Sequence, residues 1–319
     1  MEGNDTTGTD FQLAGFSMTW KQEILAFFIF LLIYVLTVVA NILIIALVRL
    51  DRSLHKPMYF FLSNFSFLEI WYTSCTIPKM LSDFLSKKKS ISKNGCIVQF
   101  YFLFFCGAVE NLLLSVMALD RFVAICYPLR YPAVMNNSMC VRLAGGCWVA
   151  SCLVVLLPAV PLSKLPFCGL LMIDHVFCDF SPLLRLSCMR NSLSEISFLF
   201  LAWVILLGSF ILIMISYIFI ISTIVKMSSA GGRHNAFTTC ASHLLVIFLY
   251  YGTVLFIYVR PSAQQTFDLD KVISVFYCMV TPLLNPLIYS LRNQEVRTAL
   301  KRMINKLRGL KRKESMFSL

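Results

Sequence analysis

The sequence predicts an all-α membrane protein: a seven-transmembrane helix bundle with a short amphipathic eighth helix. Three observations carry this. Of 319 residues, 58% are hydrophobic and only 14% charged, with a mean hydropathy of +0.77. That is too little charge to cover a soluble domain of this size. The apolar residues are gathered into seven runs of about 20 residues or more, the length that crosses a hydrocarbon core. The remaining charge is divided unequally between the two sides that seven crossings define.

The runs are Ile24–Val48, Met58–Ser82, Ile97–Tyr127, Val141–Val160, Ile196–Ile224, Phe237–Val259 and Val272–Leu291. The third and fifth exceed the crossing length, which implies tilt or projection beyond the membrane. The fourth is the shortest. This divides the chain into an outer N-terminal segment (1–23), a membrane domain (24–292) and a tail (293–319). Residues 1–23 hold Glu2, Asp5, Asp10 and Glu23 against Lys21 and lack an apolar core, so they do not read as a cleavable signal. The first apolar run then serves as the insertion signal. In the tail, Val296, Leu300, Met303, Ile304 and Leu307 share one helical face, and Arg297, Lys301, Arg302, Lys306 and Arg308 cover much of the rest. That pattern suits a helix lying on an anionic leaflet, so membrane lipids are expected partners. Seven spans make nucleic acid a remote alternative.

The side holding Arg49, Arg130, Arg233 and the tail carries 17 Lys/Arg and 4 Asp/Glu; the other carries 11 and 10. Positive charge inside places the N-terminus outside the cell and the tail in the cytoplasm. The run Lys87-Lys88-Lys89 with Lys93 opposes this and reads as a solvated loop. An outer N-terminus makes Asn4-Asp5-Thr6 a usable glycosylation site. Asn64 lies within a span and Asn136 on the inner side, so their sequons should be silent.

Most of the cysteines, among them Cys75, Cys106, Cys126, Cys147, Cys152, Cys240 and Cys278, lie in apolar runs and read as small core residues. Cys96, Cys168, Cys178 and Cys188 fall at or beyond span ends on the outer, oxidising side. Four cysteines allow three pairings. A zinc site using His175, Cys178 and Cys188 is the rival. Glu69 and Glu110 are the carboxylates deep in the spans. Such groups are expensive in lipid, so each should face the bundle interior, sharing a proton or holding a cation. Asn41, Ser115 and Asn285 could add oxygen ligands of the type hard cations prefer. Arg121, near a helix end, needs a partner, and Asp120 adjoins it. Pro286 lies inside the seventh run and should kink it.

The third span ends Met117-Ala118-Leu119-Asp120-Arg121-Phe122-Val123-Ala124-Ile125-Cys126, followed by Tyr127-Pro128-Leu129-Arg130-Tyr131. This resembles the signature MAYDRYVAICxPLxY of the olfactory (odorant) receptors, a family of rhodopsin-like class A G-protein-coupled receptors. Leu119 and Phe122 depart from it by replacing tyrosines. Four more segments resemble the same family: Pro57-Met58-Tyr59-Phe60-Phe61-Leu62-Ser63; Asn235-Ala236-Phe237-Thr238-Thr239-Cys240-Ala241-Ser242-His243-Leu244, with Asn235 in place of Lys; Pro282 to Asn293; and His175-Val176-Phe177-Cys178-Asp179 followed by Pro182 and Cys188. Ala40-Asn41 stands where the family usually has Gly-Asn. The sixth span has no proline and no Cys-Trp-x-Pro element, which separates it from aminergic and peptide receptors.

The resemblance implies an odorant receptor in the plasma membrane that binds small, mostly apolar neutral odorants within the bundle. It implies coupling to a stimulatory, olfactory-type G protein that raises cyclic AMP. Asp120 would restrain Arg121 at rest. Tyr217, Asn285, Pro286 and Tyr289 would complete the switch. Glu69 and Glu110, with Asn41, Ser115 and Asn285, would form a central ion site; a structural sodium ion is the one cofactor considered. Cys96 would pair with Cys178, and Cys168 with Cys188. The ligand set carried over is Phe104, Gly107, Ala108, Asn111, Leu201, Ala202, Ile205, Tyr251, Val254, Leu255, Tyr258, Val275 and Cys278, with Phe180 from the loop above. It contains no charged residue, which favours neutral ligands. An enzyme is not expected: Ser242, His243 and Asp120 lie on the inner side without a nucleophile elbow. A transporter would often show repeated halves, and none are seen.

Overall fold

The computed structural model describes residues 10–169, 171–188, 192–259 and 267–317. Its long helices are α1 (Trp20–Leu50), α2 (Pro57–Leu85), α3 (Lys93–Cys126), α5 (Asn137–Lys164), α7 (Ser192–Lys226) and α8 (Ala230–Val259). The short helices α4 (Tyr131–Val134) and α6 (Phe180–Arg185) lie in connections. The seventh crossing is composite. Helix α9 (Phe267–Val275) passes through a π turn (Phe276–Val280) into α10 (Thr281–Arg292). Helix α11 (Gln294–Phe317) follows as the eighth helix.

Every crossing outruns its apolar stretch, because polar residues at the ends still satisfy their backbone inside a helix. Local chemistry sets several of the starts. Gln22 Oε1 accepts from Thr19 N at 2.8 Å, Ser92 Oγ from Gly95 N at 3.1 Å and Asn136 Oδ1 from Met139 N at 2.9 Å. Pro57 opens α2, where a missing N–H costs nothing. Asn293 Oδ1 accepts from the N–H groups of Glu295 (2.9 Å) and Val296 (3.3 Å), which starts α11 immediately after α10.

Six of the crossings are both long and apolar enough to span a membrane among the described residues. The exception is α2, whose 29 residues reach roughly 43 Å. It carries Glu69, Lys79 and Asp83, and about half of it is buried against neighbours. Its polar face needs no lipid-compatible chemistry because lipid never meets it. Helix α3 is the central strut, packed on α2, α5 and α7. In its most apolar stretch 61% of residues are buried, against 17% in α1, which faces outward.

One element was not anticipated. Three short strands, β1 (Asp10–Leu13), β2 (Ser90–Ser92) and β3 (Met172–Ile173), form a small sheet over one end of the bundle. Strand β1 is central. It runs antiparallel to β2, with Phe11 opposite Ile91, and parallel to β3, with Leu13 opposite Ile173. Phe11, Leu13 and Ile173 are buried beneath it with Phe100, Phe180 and the disulfide pair Cys96 and Cys178. Gly15, at φ +64°, turns the chain out of β1 toward α1, a conformation that suits glycine.

In α11 the buried residues are Val296 and Ala299, with Leu300 and Met303 half-buried. Ile304, expected on that face, is exposed. The helix is moored by Lys56 to Glu295 (2.7 Å) and Arg302 to Asp51 (3.4 Å).

Candidate functional site

A cavity of about 110 Å³ lies between α3, α5, α7 and α8, closed at one side by α2 and the π turn. Eight residues carried over from the family resemblance line it: Phe104, Gly107, Ala108, Asn111, Leu201, Ala202, Ile205 and Val254. A Cβ added at Gly107 would meet nothing within 4 Å, so its missing side chain is part of the open space. Among the described residues no charged side chain lines the cavity.

The structure moves several expected positions out of the lining. Tyr251 is buried behind it and donates from its hydroxyl to Asn111 Oδ1; the neighbouring Tyr250 lines the space instead. A one-residue step on a helix is a 100° rotation, which sequence alone does not resolve. Leu255, Val275 and Cys278 pack elsewhere in the core. Phe180 stands behind the wall, stacked on the lining residue Phe198 with ring centroids 3.7 Å apart. The side chains of Tyr258 and Tyr289, and all of Asn4, lie outside the described residues. The sequence reading missed Tyr72, Tyr277 and a whole wall from α5, Val154, Val155 and Pro158. Pro158 and Pro161 inside an otherwise apolar run were the available signal, since interior prolines bend a helix.

Below the cavity is a buried polar cluster. Asn285 on α10 donates through Nδ2 to Glu69 Oε1 on α2. Asn41 on α1 donates to the backbone oxygens of Thr37 (3.0 Å) and Pro282 (3.4 Å). Ser115 donates to Asn111 O at 3.1 Å. Glu110 is buried on α3 beside them. Besides Ser151 Oγ and Thr281 Oγ1, three of the cluster's own buried oxygens have no hydrogen-bond partner among the described residues: Asn41 Oδ1, Glu69 Oε2 and Asn285 Oδ1. Buried polar atoms are rarely left so. All three belong to the set expected to hold an ion.

Further along α3, the Asp120 carboxylate is buried, accepting from the Tyr131 hydroxyl at 2.9 Å and lying 3.5 Å from Arg121 Nη2. Tyr217 on α7 and His243 on α8 share a hydrogen bond of 2.7 Å between hydroxyl and Nδ1. Ser242 donates to Thr238 O at 3.4 Å. His243 therefore faces Tyr217 and not Ser242. Pro286 lies inside α10.

At the opposite end Cys96 is bonded to Cys178 and Cys168 to Cys188. Both leave His175 without thiolate neighbours, and no cluster of three metal-ligating groups exists among the described residues. Gln99 Oε1 accepts from Cys178 N at 3.0 Å, tying the loop to α3 a second time. Lys271 on α9, itself buried, pairs with Asp174 at 2.6 Å. Burial pushes the neighbouring His175 imidazole down to about 4, and the Lys271 ammonium adds to the shift. Lys89 pairs with Glu23 at 2.5 Å across the mouth.

The family model described as "Olfactory receptor" matches residues 30–307. Olfactory receptor 6Y1 of Homo sapiens is 48% identical over 302 residues, 95% of this chain and 93% of its own length. Olfactory receptor 11L1 of Homo sapiens and olfactory receptor 226 of Rattus norvegicus are each 45% identical over 96% of this chain and 95% of their own. With the helical bundle, the apolar cavity and the disulfide-bonded loop, matches of this extent show that the chain belongs to the olfactory receptor family.

Proposed function

We propose that this chain is a plasma-membrane odorant receptor for small, mostly apolar, neutral odorants, coupled to a stimulatory, olfactory-type G protein that raises cyclic AMP. The observation that carries it is the cavity: walled by apolar and aromatic side chains, with amide and phenol groups but no charge among the described residues. An amine or a carboxylate would enter such a space unpaired, at a desolvation cost of several kcal/mol.

The N-terminus (1–23) and the disulfide end face outward and the tail (293–319) lies in the cytoplasm. The charge asymmetry supports this, as do disulfides, which need an oxidising compartment. Asn4 is then a glycosylation site. Asp120 and Arg121 form the restraint, and the Tyr217–His243 bond joins α7 to α8 at the same end. An odorant that binds the active bundle better than the resting one shifts the population by that difference. Parting of α3, α7 and α8 at this end then admits the G protein. Pro286 inside α10, with Tyr289 beyond it, leaves a missing backbone hydrogen bond about which the seventh crossing can swing.

Glu69, Glu110, Asn41, Asn285 and Ser115 fit a sodium ion: the three donor-less oxygens are hard ligands on three different helices. Such an ion supplies positive charge that ties α1, α2 and α10 together in the resting bundle. Basal cyclic AMP should fall as external sodium replaces choline, and Glu110→Gln should abolish that dependence. Equal sodium dependence in wild type and variant would exclude the ion.

The main test is cyclic AMP in cells expressing the chain with an olfactory-type G protein, screened against neutral odorants. A dose-dependent response is expected. Arg121→Ala should lose it at normal surface display. Gly107→Leu, which fills the cavity, should raise the half-maximal concentration at least tenfold. A displayed receptor that answers amines or acids but not neutral compounds would overturn the reading.

A further inference from the structure

We infer that the preferred ligand is aromatic and carries a hydrogen-bond acceptor, with its ring held by Phe104 and Phe198 and its acceptor by the Tyr72 hydroxyl. This rests on the odorant reading of the cavity and narrows it. The two ends of the cavity differ in chemistry. At one end four rings form a cluster: Phe100 and Phe104 at 4.7 Å, Phe104 and Phe198 edge-on at 5.3 Å, Phe180 stacked on Phe198 at 3.7 Å. Only Phe104 and Phe198 line the space; Phe100 and Phe180 brace them from behind. Braced rings with one side open offer a further ring the offset or edge contacts their quadrupoles favour.

Seven residues down α3, roughly 10 Å away, the lining becomes polar at Asn111. Its groups are mostly engaged. Asn111 accepts from Tyr251 through Oδ1 and donates to Ile205 O at 3.2 Å through Nδ2. The Tyr250 hydroxyl donates to Gly107 O at 3.0 Å. Tyr72, from α2, is different. Its hydroxyl makes one weak contact, with Cys278 Sγ at 3.8 Å, and is not tied to an oxygen or nitrogen partner among the described residues. A phenol held only by a long contact to sulfur, on the wall of an apolar cavity, gains a stronger hydrogen bond from a ligand oxygen. An aldehyde, ketone or ester supplies one without charge. Helix α2 lies outside the set of helices expected to read the ligand, so Tyr72 is a specificity determinant that the sequence did not indicate.

The test compares three matched compounds by half-maximal cyclic AMP concentration: a phenyl-substituted ketone, its cyclohexyl counterpart, and the phenyl hydrocarbon with the carbonyl removed. The phenyl ketone should be the most potent, by about three- to tenfold over the cyclohexyl ketone and about fivefold over the hydrocarbon. Tyr72→Phe should abolish the advantage over the hydrocarbon while leaving the hydrocarbon's own potency unchanged. Phe198→Leu should abolish the advantage over the cyclohexyl ketone. Equal potency of phenyl and cyclohexyl ketones in wild type overturns the aromatic part. An equal loss for ketone and hydrocarbon in Tyr72→Phe reduces Tyr72 to a packing residue and overturns the acceptor part. Responses to open-chain neutral odorants alone overturn this inference and leave the odorant reading standing. Silence to every compound from a displayed receptor overturns both.

Discussion

The two ends of the bundle are held together by different kinds of bond. At the disulfide end, two covalent links, a three-stranded sheet, the Lys271–Asp174 pair and the Gln99 hydrogen bond converge on the segment 168–188 and the chain before α1, and Lys89 pairs with Glu23 in the first turn of α1. At the Arg121 end the contacts are non-covalent: hydrogen bonds between Tyr217 and His243, Cys126 and Thr223, Tyr131 and Asp120, and Tyr59 and Asn293, and the surface pairs Lys56–Glu295 and Arg302–Asp51. A hydrogen bond contributes about 1 kcal/mol net and an exposed ion pair less. A disulfide closing a long loop contributes several times that. The cavity thus sits beneath a fixed roof and above a floor that comes apart cheaply. Ligand binding then has a stable shape to recognise and a soft direction in which to act.

The largest expected effect breaks the roof. Cys178→Ser opens a link between residues 82 apart in sequence, at a cost of roughly 2–5 kcal/mol. Surface staining should fall sharply, and the fraction displayed should lose its odorant response. Display and response at wild-type levels would mean that the sheet and ion pairs suffice, and the contrast between the ends would fail.

A smaller effect comes from acid. His175 is held neutral by burial and by Lys271, with Asp174 opposing, and its pKa of about 4 lies below the ordinary value of 6.5. As pH falls from about 6.5 toward 4, the opened loop binds a proton that the closed loop refuses, so closure weakens across that window and is unaffected above it. At pH 5.5 the closed loop should be destabilised by about 1.4 kcal/mol. Hydrogen exchange at residues 171–180, corrected for intrinsic rates, should accelerate about tenfold between pH 7.5 and 5.5 and lose that dependence in His175→Gln. No change in wild type would show that His175 stays buried in every opening the loop makes.

The smallest effect is at the floor. Tyr217→Phe removes the hydrogen bond from α7 to His243, and basal cyclic AMP should rise about fivefold, the equivalent of about 1 kcal/mol. A fall in basal signal would mean that the bond belongs to the active arrangement, and the soft end would owe its stability to packing alone.

The bundle was legible because a membrane imposes a coarse length rule that seven apolar runs obey. Helix α2 passed as a run in the sequence although its composition is weaker, because burial inside the bundle lets Glu69 and Asp83 replace apolar side chains. The sheet was illegible for the opposite reason. Its strands have two to four residues and pair across about 80 and 160 positions, too short and too distant for any local pattern. The cavity fell between these cases. Positions on α3 and α7 expected to meet the ligand line a cavity. Tyr250 was confused with Tyr251, and the α5 wall was missed, because helix rotation and proline bends are set by packing. Glu69, Asn285 and Asn41 could be grouped in advance because polar atoms in lipid have few places to go; their donor-less oxygens could be seen only in three dimensions.

The π turn at Phe276–Val280 accommodates one residue more than an α-helix would over the same rise, and so offsets the facing of α9 from that of α10. Above it, Lys271 answers to the loop through Asp174; below it, Asn285 answers to the polar cluster through Glu69. A lineage that gained or lost a single residue at this bulge would re-aim the outer third of the helix by about 100° while Asn285 stayed in register with Glu69. The bulge is therefore a point at which ligand preference can drift between descendants without disturbing the transmission machinery they inherit.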